Sequence, residues 1–207
     1  MPSIQSHSTA NPLDHRVLAV AIEFILKADS MGLLAEPVDT VHLDIEGIIR
    51  AAKAVTEWDI GRRIVNPERW RDYAANDLCV KLKQLSEILE ESTHPETEWQ
   101  RLRALLTDDL IAKMTAVSEQ SIRRYASGER PTPDEVAARL HWLALTAGDL
   151  QGAYNDDGVR NWFQRPRKSF GERSPLVILG GRSWTPSDDD ALRIRKFARD
   201  LTESMGT

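Results

Sequence analysis

Cysteine is almost absent. Cys79 is the single one among 207 residues, which excludes an intrachain disulfide or a cysteine-built zinc site and leads us to expect a reducing, cytoplasmic setting. Long apolar runs are missing as well. The longest, around Val17 to Leu26, is interrupted by Glu23 and falls short of the ~20 residues a membrane-spanning helix needs, so no membrane partner is expected. The polar start, Met1 to Pro12, has no charged run leading into an apolar stretch and reads as a loose tail, not a secretory signal. Strand-like alternation is nearly absent, with only Pro175 to Leu179 able to pass for a strand. His7, His15, His42, His94 and His141 lie far apart and give no metal-ligand spacing. No glycine-rich phosphate loop or nucleophile elbow occurs, and Gly180-Gly181 reads as a plain turn. Neither catalysis, nor a metal, nor a cofactor is expected.

What is present is an ordinary globular composition, 41% hydrophobic and 29% charged, enough for one large domain or two small ones. The net charge of −5 is unevenly spread, for all the excess acid lies before Thr107. In the neutral second half, Arg160, Arg165, Arg167, Lys168 and Arg173 face only Glu172 within fourteen residues, a patch suited to phosphate or to an acidic partner.

Spacings of three and four recur, so the chain reads as all-α. Asp14 is placed to cap a helix reaching about Ala28, with Val17, Val20, Ala21, Phe24 and Ile25 on one face. A second helix starts near Asp44 and aligns Ile45, Ile48, Ile49, Ala52 and Val55. A third is expected from Pro67 to about Glu91, its Leu78, Leu82, Leu85 and Leu89 forming either core or a short dimer seam. Ser92 to Pro95 breaks the pattern. The expected division is a tail, 1–12; a helical domain, 13–93; a second helical domain, 94–155; and a small C-terminal one, 156–207.

The segment from Thr107 to Tyr125 carries the functional reading. Thr107 can cap one short helix and Ser118 a second, each followed by acids that suit a helix N-terminus. Leu110, Ile111 and Met114 face inward on the first, Val117 and Ile122 fill the angle, and Ala112 permits a close crossing. Such an arrangement is a helix-turn-helix, whose second helix enters the major groove of double-stranded DNA. Its outward residues supply the readers. Gln120 and Arg124 are the favoured base contacts, Ser121 and Arg123 come next, and Lys113 and Arg130 are placed for backbone phosphates.

Ala112, Val117 and Ile122 stand at the spacing of the Xre/phage-repressor helix-turn-helix, and Gly128 and Pro131 match the end of its recognition helix. Ala116 occupies the place where that family usually has glycine, so either a mildly strained left-handed turn, at about 1 kcal/mol, or a different turn shape is expected. After a long helix through Val136, Leu140, Leu143 and Leu145 come Trp162, Pro166, Phe170, Ser174, Pro175 and Leu176. Those six resemble the toxin-binding domain of the Xre/MbcA/ParS-type antitoxins, with Glu172 where glycine is expected. A last helix, from about Ser187 to Glu203, carries Leu192, Ile194, Phe197 and Leu201. The combined resemblance covers residues 105–201. It implies a homodimer that occupies operator DNA and, in antitoxin members, blocks a RES-domain toxin that consumes NAD. Trp162, Arg165, Arg167, Lys168 and Arg173 are then the expected partner-binding residues.

Overall fold

The computed structural model describes residues 13–205, with side chains to residue 201; the expected tail, 1–12, lies outside the described residues. The fold is all-α. In chain order the helices are α1 (His15–Ser30), α2 (Ile45–Glu57), a 3-10 turn (Pro67–Asp72), α3 (Ala75–Glu91), α4 (Pro95–Leu105), α5 (Asp108–Thr115) and α6 (Glu119–Ala126). There follow α7 (Asp134–Gln151), α8 (Asp156–Gln164), a second 3-10 turn (Lys168–Phe170), α9 (Pro175–Leu179) and α10 (Asp189–Met205). No helix among the described residues is long and apolar enough to cross a membrane.

The centre is α7. Nearly every residue from Val136 to Leu150 is buried, and a helix apolar on all sides must be enclosed by neighbours. α1, α4, α5, α8 and α10 surround it. α1 crosses it closely at Gly148, where a Cβ would lie 2.7 Å from Ser30 Oγ and 3.0 Å from the Leu26 carbonyl oxygen. The core is continuous from Val17 to Ala198, across both of the expected domain boundaries near residues 93 and 155.

Local chemistry accounts for most helix starts. Asp14 accepts from the Arg16 backbone N–H at 2.8 Å and Asp44 from that of Gly47 at 2.8 Å, each satisfying a donor left over at the first turn. Leu78, Leu82, Leu85 and Leu89 are all buried and α3 lies along α1, so the leucine seam is core.

The expected helix from Pro67 to Glu91 is broken. Tyr73 and Ala74 are extended, with ψ of 141° and 154°, separating the turn from α3. In one continuous helix Trp70 would sit about 80° around the axis from Leu78; the break lets Trp70 bury in the turn that packs on α2. Pro175–Leu179 is a helix, not a strand, with Ser174 accepting from the Val177 N–H at 3.2 Å. On α10, Leu192 faces outward at 54% exposure, and Ala191, Ile194 and Ala198 fill the core instead.

Two buried polar clusters tie the helices together. His141 Nδ1 lies 2.6 Å from Glu98 Oε1, and its Nε2 is 3.1 Å from the Glu90 carbonyl oxygen, joining α7 to α4 and α3. Glu90 also accepts from Lys27 at 2.9 Å and stands 3.3 Å from Arg195. Arg195 and Arg199 each reach Asp149 at 3.4 Å. Burial pushes the Asp149 carboxyl above the ordinary range, against the pull of Arg195, Lys27 and Arg199.

Candidate nucleic-acid interface

α5 and α6 are short helices whose ends are fixed by their own side chains. Thr107 Oγ1 accepts from the Leu110 N–H at 3.3 Å, and Ser118 Oγ from the Ser121 N–H at 3.1 Å. Acids follow both caps: Asp108 and Asp109 on α5, and Glu119 on α6. Arg103 clamps Asp108 through two hydrogen bonds, at 2.8 and 3.0 Å, and holds that carboxyl below its usual range.

Between the helices Ala116 takes the left-handed conformation, with φ 59° and ψ 37°. The turn therefore has the shape a glycine adopts without strain, and is built on alanine. Its backbone N–H and that of Val117 both return to the Ala112 carbonyl oxygen, stopping α5 and redirecting the chain within a few residues.

α6 is strongly two-sided. Ile122 and Tyr125 are buried; Tyr125 stacks on Trp99 of α4, ring centroids 6.0 Å apart. The Trp99 indole N–H donates to Thr132 Oγ1 at 2.9 Å, pinning the chain beyond α6 to the same anchor. On the other face Glu119, Gln120, Arg123 and Arg124 are exposed, and Ser121 is half-buried.

The expected DNA-contacting side chains fall into distinct settings. Among the described residues Gln120 makes no side-chain hydrogen bond. Ser121 Oγ lies 3.0 Å from Ser118 Oγ and is partly engaged in the cap. Arg123 stands 3.4 Å from Glu119 and Arg124 3.6 Å from Glu129, both in exposed pairs. Lys113 holds Asp109 at 2.7 Å, and the Arg130 guanidinium lies 5.8 Å from the Tyr125 ring centre. Exposed pairs of this kind are worth roughly 0–1 kcal/mol each, so phosphate or a base edge can displace them. α6 rests on α4 and α5, and α7 supports the pair by way of α5.

Support from the C-terminal region was not legible in the sequence. The last carbonyls of α5 are all taken: Lys113 accepts from the Gly181 N–H at 3.0 Å, Met114 from the Trp184 indole N–H at 2.7 Å, and Thr115 from the Arg139 guanidinium. Arg139 is buried at 3% exposure and also reaches Glu135. A lone arginine inside the apolar run of α7 was the available signal, for a charge seated there needs partners.

The partner-binding residues expected in the C-terminal domain separate into core and surface. Trp162, at 1% exposure, presents no surface to a partner. It meets Phe163 edge-on at 5.3 Å and supports Arg167, whose guanidinium sits 5.0 Å from its ring centre and 5.7 Å from that of Phe197. Arg165, Lys168 and Arg173 are exposed. Glu172 is left-handed, φ 57°, directly after Gly171 at φ 65°.

No protein-family model, curated protein or solved structure matches the chain.

Proposed function

We propose that this protein is a sequence-specific DNA-binding regulator that acts by occupying an operator. One observation carries the reading: α5 and α6 are joined by a three-residue turn with a left-handed residue, Ala116, and α6 is anchored by Ile122 and Tyr125 while its opposite face stays polar and open. A helix that reads DNA needs this division, one face fixed by the protein and the N-terminal part of the other free to meet base edges. Gln120 suits a paired contact with adenine and Arg124 with guanine. Ser121 and Arg123 lie beside them, and Lys113 and Arg130 flank the helix as phosphate contacts. A dimer would place two α6 helices on half-sites about one helical turn apart, or a multiple of that.

The test is fluorescence anisotropy with the protein's own upstream DNA against a scrambled duplex. Wild type should prefer the upstream sequence. The Arg124→Ala variant should lose about 1–3 kcal/mol and relax base preference at one position. Unchanged affinity and unchanged preference in the Gln120→Ala, Arg124→Ala double variant would remove α6 as the reading element.

A second reading, capture of a protein partner such as a RES-type toxin, is favoured by Val177 on α9 and Leu192 on α10, exposed at 65% and 54% on elements that pack together. Co-purification with a RES-type protein encoded beside this chain, lost in Val177→Ser, Leu192→Ser, would support it. Retained co-purification in that variant would count against it.

A further inference from the structure

We propose that the loop over residues 165–173 is a second phosphate-binding surface, which grips the DNA backbone outside the segment α6 reads. The inference rests on the DNA-binding reading and extends it to a part of the chain whose cations make no salt bridge among the described residues.

The loop is a built object. The Arg167 N–H donates to the Arg173 carbonyl oxygen at 3.1 Å and the Glu172 N–H to the Arg167 carbonyl oxygen at 3.0 Å, closing a ring around the Lys168–Phe170 turn. Phe170 anchors it in the core at 2% exposure. Arg167 and Arg173 thus face each other across an antiparallel bridge, where Cα atoms are about 4.5–5.5 Å apart, and Arg165 follows two residues before Arg167. Four cations are therefore held together at a cost in mutual repulsion.

No ion pair relieves that cost. Among the described residues none of Arg165, Arg167, Lys168 and Arg173 makes a salt bridge, and Arg167 Nε is buried without a hydrogen-bond partner. Burial lowers the Arg167 pKa, Tyr154 offsets part of that, and the Arg165 charge lowers it again. Arg167 is instead held by the faces of Trp162 and Phe197, which fixes its plane without giving it a carboxylate partner. The only carboxylate in the loop, Glu172, is exposed and makes no ion pair.

Phosphate fits this surface better than an acidic protein does. A protein interface centres on buried apolar side chains, and Pro166 is the one apolar side chain the loop exposes: its other outward residues are Arg165, Lys168, Ser169, Glu172 and Arg173, besides Gly171. The loop is also tied to the helix-turn-helix through its neighbours. It leads directly into α9, which packs on α5, and the chain beyond α9 is bonded to the last α5 carbonyls through Gly181 and Trp184.

The test uses the full chain with Arg165→Gln, Lys168→Gln and Arg173→Gln combined, all exposed, with Arg167 kept because it covers the aromatic core. Affinity for the upstream duplex and a scrambled duplex is measured between about 50 and 200 mM salt, where each lost phosphate contact flattens the slope of log affinity on log salt by ~0.9. The expected result is a slope shallower by about 2–3, with the preference between duplexes unchanged. An unchanged slope, with wild type still preferring its operator, overturns the loop inference and leaves the regulator reading standing. If wild type shows no preference but its slope still flattens in the triple variant, the loop inference stands and the operator reading falls. Absence of duplex binding by wild type even at the lower salt overturns both. A triple variant that keeps the DNA slope but no longer binds poly-glutamate gives the patch to an acidic protein and overturns the proposal.

Discussion

Ala116 and Glu172 occupy left-handed backbone positions at φ 59° and 57°, and an L-residue with a Cβ pays roughly 1–2 kcal/mol there. Glycine removes the steric penalty but widens the unfolded ensemble, by about 0.4–1 kcal/mol, so the net gain from Ala116→Gly is expected near 0.5–1 kcal/mol. Thermal or urea unfolding would register it as a higher midpoint with an unchanged m-value. Because Ala116 is exposed in the turn and lies outside α6, DNA preference should not move. A lower midpoint would mean the alanine methyl is supported by packing that outweighs its backbone strain. Both positions were visible in the sequence as departures from an expected glycine, and the structure selects the strained turn over the altered one. Trp184 and Arg139 were not visible in this way. Their partners are backbone carbonyls at the end of α5, and a backbone acceptor leaves no mark in the sequence at which a distant donor will arrive.

At the scale of the element, caps and apolar stripes located α1, α2, α5, α6 and α10 to within a few residues, since both signals are local. α3 was misjudged because Pro67 is a good first-turn residue for an α-helix and for a 3-10 turn alike. Only the need to bury Trp70 against α2, a tertiary demand, separates the two. Gly148 shows the same conflict between local and tertiary preference. In the last turn of α7 a glycine is worth up to about 1 kcal/mol less than alanine by propensity, so Gly148→Ala should stabilise an isolated helix. In the protein a Cβ would come within 3.0 Å of the Leu26 carbonyl oxygen and 3.1 Å of Lys27 Cα, both backbone atoms of α1 that cannot rotate aside. The expected outcome is a loss of about 1–3 kcal/mol, read as a lowered unfolding midpoint. A raised midpoint would show that α1 and α7 separate without penalty. At the other element junction that matters, Ser118→Ala removes the α6 cap and should cost about 1 kcal/mol. Operator affinity should weaken with it, because the cap also positions Ser121 and Gln120 at the start of the reading helix.

At the scale of the whole molecule, the C-terminal helix is locked to the N-terminal ones through buried charge. Glu90 on α3 contacts Lys27 of α1 and Arg195 and Arg199 of α10, while Asp149 of α7 meets the same two arginines. Ending the chain after Asn155 would strip both carboxylates of those arginines and expose α7, so it would unfold the protein and could not isolate a partner-binding function. A milder probe is Glu90→Gln. Burial raises the Glu90 carboxyl, but the charges of Arg195, Lys27 and Arg199 and the Lys27 hydrogen bond outweigh burial and hold it at about 2, against an ordinary 4.5. A folded-state pKa below the unfolded one means that this group's contribution is complete above pH 4.5 and lost as pH falls toward 2. Allowing for screening at a partly exposed carboxylate, it is on the order of 2 kcal/mol. Asp149 acts with the opposite sign: its carboxyl is raised by burial, so its protonation favours the folded state as pH falls. Subtracting the two stability curves removes the burial part of the Asp149 effect, which both proteins share, and leaves only the smaller part that the Glu90 charge contributes. Glu90→Gln should therefore be less stable than wild type by about 2–3 kcal/mol at neutral pH, with the gap narrowing between pH 4.5 and 2. A gap that stays constant across that window would mean the loss comes from packing around the new amide, and that the carboxylate charge at Glu90 is not what binds α10 to α1 and α3.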